Sequence, residues 1–297
     1  ALRCRYDSRL LSEMPAVSEI ELPIYQVDAF ADRLFAGNPA AVVPLVEWLP
    51  EATMQAIAAE NNLSETAFFV PDGADFALRW FTPAWEVPLC GHATLASAYV
   101  LMTILEPSRT MVRFHSKLGP LTVIKTGELY TLDFPARDIV DDVGEDYDAV
   151  AEALGAKPVW LKRSAYRYLA YFDTAAEVAA LKPDFGKLKA TPKGACMVTA
   201  PGADCDFVSR YFAPMAGVDE DPVTGSAHAL VAPFWLERLN TASVVGWQCS
   251  PRPGGMVLET ASSGMIRLSG TGHLLWNGTL HVQADGCGAE PWGAFLA

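Results

Sequence analysis

The sequence lacks the patterns that bind metals, form disulfide frameworks or hold nucleotide phosphates. Its six cysteines, at positions 4, 90, 196, 205, 249 and 287, include no C-x-x-C pair, and its five histidines form no H-E-x-x-H motif. Such spacing favours neither a disulfide scaffold nor a zinc site. No G-x-x-x-x-G-K-[ST] or G-x-S-x-G motif occurs, and G-T-G at 270–272 lacks the third glycine of a dinucleotide fingerprint. We therefore expect no metal and no cofactor.

Basic residues and long apolar runs are also scarce. The 297 residues carry 22 Lys and Arg against 35 Asp and Glu, a formal net charge of −13. This charge opposes binding to nucleic acid or to an anionic membrane surface. The longest largely apolar stretch, 93–105, is shorter than the ~20 residues that a membrane span requires. We expect a cytoplasmic protein with a small-molecule partner, and no nucleic-acid or membrane partner.

The apolar content is high enough for a sizeable core, at 51% against 19% charged residues. A helix is predicted over 51–60, after Pro50 and before the Asn61-Asn62 pair. A second helix starts at Gly91 and is apolar on nearly every face, so other elements must enclose it. β-branched and aromatic residues predict short strands around it, at 22–30, 40–43, 76–81, 111–114, 121–125 and 130–134.

One pattern occurs twice. R-W-F-T-P at 79–83 precedes Gly91-His92-Ala93 and an apolar helix, and R-Y-F-A-P at 210–214 precedes Gly225-Ser226-Ala227 and another. A repeat of this kind predicts two related halves. The predicted division has four parts. Residues 1–20 are an N-terminal extension without order, residues 21–135 a first half and residues 136–284 a second half. Residues 285–297 are a C-terminal segment that returns to the first half.

The start of each apolar helix is a candidate anion site. The first amides of a helix lack internal partners and carry partial positive charge, so the ends at Gly91 and Gly225 could hold a substrate carboxylate if the halves face each other. Glycine would let a ligand approach the backbone there. Ordinary helix caps are the alternative interpretation.

Polar residues beside these two helix starts could carry chemistry. Asp221 ends the acidic run Asp219-Glu220-Asp221, whose mutual repulsion would raise a carboxyl pKa if it were buried, and Ser226 could share its pocket. A simple turn also explains D-P-V-T-G. His92 would be neutral at a helix start, or merely structural. The Cys90 thiol could act as a base or be an inert buried group.

Six ordered motifs resemble those of the PhzF-like family, the phenazine biosynthesis-like proteins, a branch of the diaminopimelate epimerase fold. The resemblance runs from about residue 24 to near the C-terminus. The motifs are V-D-A-F at 27–30, G-N-P-A-A-V at 37–42, N-L-S-E-T-A-F at 62–68, R-W-F-T-P at 79–83, L-C-G-H-A-T at 89–94 and D-P-V-T-G-S-A at 221–227.

This resemblance implies an α+β fold of two pseudo-symmetric halves, each a barrel-like sheet around a central apolar helix, with the active site in the cleft between them. It also implies a homodimer and a cofactor-independent isomerase. In the phenazine enzyme the matching glutamate moves a proton within a dihydro-hydroxyanthranilate ring, which makes Glu65 the expected general acid/base. His92, Asp221 and Ser226 match substrate-contacting residues, and Asn38 lies near the cleft. The expected substrate is a small carboxylate.

Two other functions stay open. The sister epimerases use a cysteine at each helix start, whereas here Cys90 matches the first and Thr224 stands at the second. A threonine hydroxyl is a poor base, so a racemase or epimerase would need Cys90 with another partner. The third alternative is a non-catalytic ligand-binding or interaction protein on the same fold, in which Glu65 is only a solvated turn residue.

Overall fold

The computed structural model describes residues 19–136, 139–140, 143–262 and 264–283. Within these ranges the α-helices are α1 Glu51–Asn61, α2 Gly91–Tyr99, α3 Asp146–Leu154, α4 Ala175–Ala180, α5 Phe185–Ala190 and α6 Gly225–Leu239. The strands are β1 Glu19–Ala29, β2 Asn38–Pro44, β3 Glu65–Asp72, β4 Asp75–Phe81, β5 Glu86–Val87, β6 Met111–Ser116, β7 Gly119–Thr126, β8 Leu129–Pro135, β9 Trp160–Arg163, β10 Tyr168–Tyr171, β11 Cys196–Pro201, β12 Phe207–Ala213, β13 Val218–Asp221, β14 Ser243–Gln248, β15 Gly254–Thr260, β16 Met265–Gly270 and β17 Gly272–Gln283.

The strands form one continuous sheet. Its order is β17-β1-β2-β3-β4-β6-β7-β8-β16-β15-β14-β12-β11-β10-β9, with β5 beside β4 and β13 beside β12. The antiparallel pair β8–β16 joins the part that curves around α2 to the part that curves around α6. The fold is therefore α+β, as the sequence predicts.

The predicted repeat is present in the topology. Strands β1 to β8 and β9 to β16 follow the same course, with parallel pairs at β2–β3 and β10–β11 and again at β4–β6 and β12–β14. In each half the apolar helix is inserted after a short strand, α2 after β5 and α6 after β13. The two halves are thus pseudo-symmetric, and each wraps a sheet around one helix.

The enclosure of the first apolar helix is confirmed. Residues 91–98 of α2 are all buried, and they pack against strands on several sides. The segment predicted as one helix changes character, because Val100–Leu105 continues it as a π-helix. None of the helices in the described part of the chain combines the length and apolarity needed to span a membrane.

The ends of the halves differ from the predicted division. Strand β1 begins at Glu19, inside the segment expected to be an extension, and residues 1–18 lie outside the described residues. Strand β17 pairs with β1 over its whole length, so the chain returns to the first half at Gly272, before residue 284. Residues 284–297 lie outside the described residues, and the boundary at 135/136 stays a prediction.

Candidate active site

Glu65 is placed by a helix end followed at once by a strand. Helix α1 ends at Asn62, which adopts the left-handed conformation (φ 49°) and donates its backbone N–H to the carbonyl of Ala58. Asparagine tolerates this conformation better than most residues, as the sequence predicts. Glu65 is then the first residue of β3, opposite Ala40 of β2, and its side chain is only 18% exposed. It is not a solvated turn residue.

His92 connects Glu65 to Cys90. Its Nε2 lies 3.1 Å from Glu65 Oε2, and its Nδ1 lies 3.5 Å from Cys90 Sγ. The Glu65 and His92 atoms lie within ion-pair distance but are not aligned for a hydrogen bond, so each is a buried polar atom without a hydrogen-bond partner among the described residues. Buried polar atoms are rarely left unpaired, and those that are often lie at functional sites. This pair is the strongest local sign of a ligand site.

The neighbours of His92 act against the neutral state that the sequence predicts. Burial alone would lower the pKa of His92, but the acidic neighbours Cys90 and Glu65 outweigh it and raise the pKa well above its ordinary value. The nearby Glu65 carboxylate therefore favours the cationic ring, whereas the helix start by itself favours the neutral ring. Burial raises the pKa of the Cys90 thiol, and the nearby Glu65 charge raises it further. The thiol is a poor base in this environment.

We expect the two buried histidines to titrate in opposite directions. The pKa of His92 is raised, so its stabilisation is present below its unfolded value, about 6.5, and is lost as pH rises through the folded pKa. Burial lowers the pKa of His228 to about 4, so its contribution is present above about 6.5 and is lost as pH falls towards 4. Histidine ring NMR across this range checks both. A neutral His92 ring at pH 6 would contradict the assignment.

Asp221 belongs to the same site although it comes from the second half. Burial raises its pKa; the charge of His92 lowers it, the charge of Glu65 raises it, and hydrogen bonds from Thr224 and Asn38 lower it. Its Oδ1 accepts from Asn38 Nδ2 at 3.0 Å, and its Oδ2 accepts from the Thr224 hydroxyl. The raised pKa therefore arises mainly from burial rather than from the acidic run.

Asn38 links the two halves through its amide. Its Nδ2 also donates to the carbonyl of Val223 at 2.8 Å, while its Oδ1 accepts from Ser64, the residue before Glu65, at 3.2 Å. This buried amide therefore contacts both the loop that carries Glu65 and the loop that carries Asp221. That Asn38 lies near a substrate cleft stays a prediction.

The loop before Asn38 is clasped by an arginine of the second half. Arg252 Nη2 lies 2.8 Å from Oδ1 of Asp28, whose side chain is completely buried, and the guanidinium also donates to the carbonyls of Ala36 and Gly37 at 3.3 and 3.4 Å. The loop is conformationally demanding, with positive φ at Phe30 and Phe35. An unpaired buried carboxylate would be costly, so this ion pair holds the loop in place.

Neither central helix has a side-chain cap. Cys90 precedes α2 and Thr224 precedes α6, and neither side chain accepts a hydrogen bond from the helix amides. Ordinary side-chain capping, the alternative interpretation, is therefore wrong for both helices. The glycines also have a role in packing, because a Cβ on Gly91 would lie 3.3 Å from the Phe134 ring and a Cβ on Gly225 would lie 3.3 Å from Leu268. Both glycines permit close packing of helix on strand.

The repeated arginines hold the short strand that precedes each central helix. Arg79 binds Glu86 of β5 through two hydrogen bonds, of 2.8 and 2.7 Å, and Arg210 binds Glu220 of β13 through two, of 2.7 and 2.8 Å. Such paired contacts hold both position and orientation. Since β5 and β13 lead into α2 and α6, the repeated motif has a structural role that its sequence alone does not reveal.

Arg167 and Gln248 belong to the site without any sequence signal, and Arg167 contacts Ser226, which the sequence predicts. Ser226, at the start of α6, accepts from Arg167 Nη1 at 3.2 Å, and the Arg167 guanidinium lies over the Tyr211 ring at 4.7 Å. Gln248 donates to the carbonyl of Asp221 at 2.6 Å. Only the register of the folded sheet, in which Tyr211 pairs with Asp221, brings these residues together.

Glu65, Cys90 and His92 form the one group of possible metal ligands found among the described residues, with donor atoms within 4.8 Å of one another. Zinc accepts carboxylate, thiolate and imidazole ligands. Here, however, the Cys90 thiol and the Glu65 carboxylate contact opposite nitrogens of the His92 ring. That no metal is needed stays a prediction.

The geometry therefore provides a titratable cluster at the start of α2 and hydroxyl and guanidinium donors at the start of α6. Asp221 connects the two ends, because the charges of His92 and Glu65 act on it and because it shares its loop with Thr224. Such an arrangement can exchange a proton with a ligand on one side and hold an anionic group on the other.

Comparison with known proteins assigns the chain to a family. The family model described as "Phenazine biosynthesis-like protein" matches residues 27–278. An uncharacterized isomerase of Pseudomonas aeruginosa is 46% identical over 264 residues, which are 89% of this chain and 100% of that protein. The crystal structure of a PhzF-family phenazine biosynthesis protein from Enterococcus faecalis is 44% identical, with a TM-score of 0.82 over 88% of this chain and 99% of that one.

A more distant structure shares the fold alone. A hydroxyproline epimerase from Agrobacterium vitis is 11% identical, with a TM-score of 0.56 over 92% of this chain and 97% of that one. The family model, by contrast, covers well over half of this chain, and relatives above 30% identity match nearly their whole length. The chain therefore belongs to the phenazine biosynthesis-like protein family, the PhzF-like proteins.

Proposed function

We propose that this protein is an isomerase that moves a proton on a small carboxylate-bearing substrate, with Glu65 as the general acid/base. The observation that carries the proposal is the buried Glu65–His92 pair, 3.1 Å apart and without hydrogen-bond partners among the described residues. A carboxylate held this way can accept a proton from a bound ligand and return it at another position. The family relatives named as isomerases support this class of reaction.

The other residues of the site would orient and polarise the ligand. A cationic His92 would donate from Nε2 to a ligand oxygen and stabilise negative charge as an enol forms. Asp221 would accept or donate a hydrogen bond, with its orientation set by Asn38 and Thr224. Ser226 and the free amides of α6 at Gly225 and of α2 at Gly91 would hold the carboxylate.

The proposal includes an assembly and a location. We expect a homodimer, as the resemblance implies, in the cytoplasm. Size-exclusion chromatography with light scattering tests the first expectation, and fractionation of the native host tests the second. The division into halves at 135/136 is proposed with them.

Proton NMR in deuterium oxide tests the function directly. The native chain is incubated with small cyclic and amino carboxylates, including dihydro-hydroxyanthranilate. Deuterium that enters one compound, at a rate proportional to enzyme concentration, is the expected result. If no compound exchanges while one still binds, a non-catalytic binding role replaces the proposal.

A racemase that uses Cys90 is the second candidate, favoured by the 3.5 Å contact between Cys90 Sγ and His92 Nδ1. Because burial raises the pKa of this thiol, we expect Cys90→Ser to keep at least about half of the exchange rate, far above the 100-fold loss expected for removal of an acid/base group. The measurement is the same exchange reaction. Complete loss of exchange in a folded Cys90→Ser variant would favour the racemase.

A further inference from the structure

Arg167 lies beside the start of α6 in a tightly constrained turn. It occupies the link between β9 and β10, where Ser164 donates its backbone N–H to the Arg167 carbonyl at 2.8 Å and its hydroxyl to the same carbonyl at 3.1 Å. The Ser164 hydroxyl also accepts from the backbone N–H of Arg167 at 3.3 Å. The backbone of Arg167 is therefore held on both sides, and its side chain starts from a defined position.

The side chain of Arg167 is held as firmly as its backbone. Nη1 donates to the Ser226 hydroxyl at 3.2 Å, and the guanidinium lies over the ring of the buried Tyr211, with Cζ 4.7 Å from the ring centroid. Tyr211 is the strand partner of Asp221. The guanidinium is thus fixed beside the first turn of α6, next to the carboxylate that interacts with His92 and Glu65.

The charge of Arg167 has no anionic partner among the described residues. The arginines of the repeated motif, Arg79 and Arg210, each bind a glutamate through two hydrogen bonds. Arg167 is half-buried like them, yet no described carboxylate lies within ion-pair distance of it. A partly desolvated cation without a counter-ion is unfavourable unless a ligand supplies the negative charge.

The two helix starts therefore carry different groups. At α2 the buried, unpartnered atoms of Glu65 and His92 point to proton transfer, whereas at α6 an unpaired guanidinium stands beside a hydroxyl and free amides. The two ends of the site therefore differ in charge and chemistry although the fold is pseudo-symmetric. The guanidinium adds positive charge at the α6 end beyond that of the helix amides, so a ligand with one anionic group would place that group there in preference to the α2 end.

We infer that Arg167 is the specificity-determining residue that selects a carboxylate at the α6 end of the cleft, so that the ligand presents its reacting carbon to Glu65 at the α2 end. This inference rests on the proposed function for the position of the reacting carbon. The planar guanidinium would bind the carboxylate through paired N–H groups, and Ser226 would donate its hydroxyl to the same group.

Binding of matched acids and amides tests the inference. The probes are benzoate with benzamide and 2-aminobenzoate with 2-aminobenzamide, which differ mainly in charge. Isothermal titration compares wild type, Arg167→Gln, Arg167→Lys and Arg238→Gln. Arg238 is the matched control, because it also stacks on a tyrosine (Tyr171, 5.0 Å) and donates to its hydroxyl at 3.0 Å, in the last turn of α6.

We expect wild type and Arg238→Gln to prefer the acids by at least about tenfold, since a charge-assisted hydrogen bond has this effect. Arg167→Gln should lose the preference and Arg167→Lys should keep part of it. Equal binding of acid and amide to wild type, binding of neither, or an unchanged preference in Arg167→Gln would overturn the inference.

Failure of the inference about Arg167 can be distinguished from failure of the proposed isomerase function. Glu65→Gln should retain the acid preference while losing deuterium exchange. An Arg167-dependent acid preference without exchange of any compound would remove the proposed isomerase but keep the carboxylate selector. Exchange that is equally fast, with the same KM, in Arg167→Gln would keep the isomerase and remove the selector.

Discussion

Replacement of Glu65 by glutamine is expected to lower turnover of the exchanging substrate by about 100- to 10,000-fold, the usual contribution of a general acid/base. The amide is nearly the same size as the carboxyl group but cannot take up or return a proton. Binding should change much less than turnover, because other groups hold the ligand. Steady-state kinetics with wild type and variant, reported as kcat and KM separately, measures this difference.

Glu60→Gln is the matched control for this substitution. Glu60 is an exposed glutamate in the last turn of α1, five residues before Glu65, so the same chemical change should leave kcat unaltered. A folded Glu65→Gln variant with at least half of the wild-type kcat would remove Glu65 from the mechanism. The buried Glu65–His92 pair would then need another explanation.

The largest expected effect on stability comes from Arg252→Met. Among the described residues, this change leaves the completely buried Asp28 carboxylate with the backbone N–H of Phe35, at 2.9 Å, as its one remaining partner. We expect a loss of about 3 kcal/mol, the lower end of the range for a broken buried ion pair because Arg252 is itself about a third exposed. The Tm should fall by about 6–12 °C for a chain of this size, as calorimetry can measure.

Two further variants give this prediction its controls. Arg267→Met breaks another ion pair between the halves, to Asp133 at 3.0 Å, but both side chains are exposed and the expected cost is only about 0–1 kcal/mol. Adding Asp28→Asn to Arg252→Met removes the stranded charge and should recover part of the lost stability. Equal losses of stability in Arg252→Met and Arg267→Met would contradict a special role for the buried Arg252–Asp28 ion pair.

Loss of the Arg252–Asp28 ion pair should also affect the active site. The loop that Arg252 holds leads into Asn38. The Asn38 side-chain N–H donates to Asp221, and its side-chain oxygen accepts from the Ser64 hydroxyl. We therefore expect Arg252→Met to lower kcat more than it raises KM, because it displaces a hydrogen-bond partner of Asp221 without removing a ligand contact. Arg267→Met should not change this ratio.

Much of the scaffold could be predicted because its signals are local. The helix at 51–61 follows from Pro50 and the Asn61-Asn62 pair, and the enclosure of α2 follows from its apolar composition. The arginine motif and the helix that begins at glycine occur twice along the chain, and this repeat indicates two halves from the sequence alone. Glu65 was identified by its motif, and the fold supplies the burial that the motif could not show.

The rest of the site depends on contacts between distant parts of the chain. Ser226 and Arg167 are 59 positions apart, and Asn38 and Asp221 are 183 apart. No spacing pattern along the sequence encodes such contacts. The effect of Glu65 on His92 is hidden for the same reason, since the helix start is local whereas Glu65 lies on another strand. The early return of β17 to β1 likewise has no local turn signal.

The most direct test of the central claim is the rate of solvent-deuterium entry into the substrate, followed by proton NMR, in wild type, Glu65→Gln and Glu60→Gln side by side. The account predicts exchange at one carbon in wild type and in Glu60→Gln, and none above background in a folded Glu65→Gln that still binds the ligand. Exchange at the wild-type rate in Glu65→Gln would contradict it.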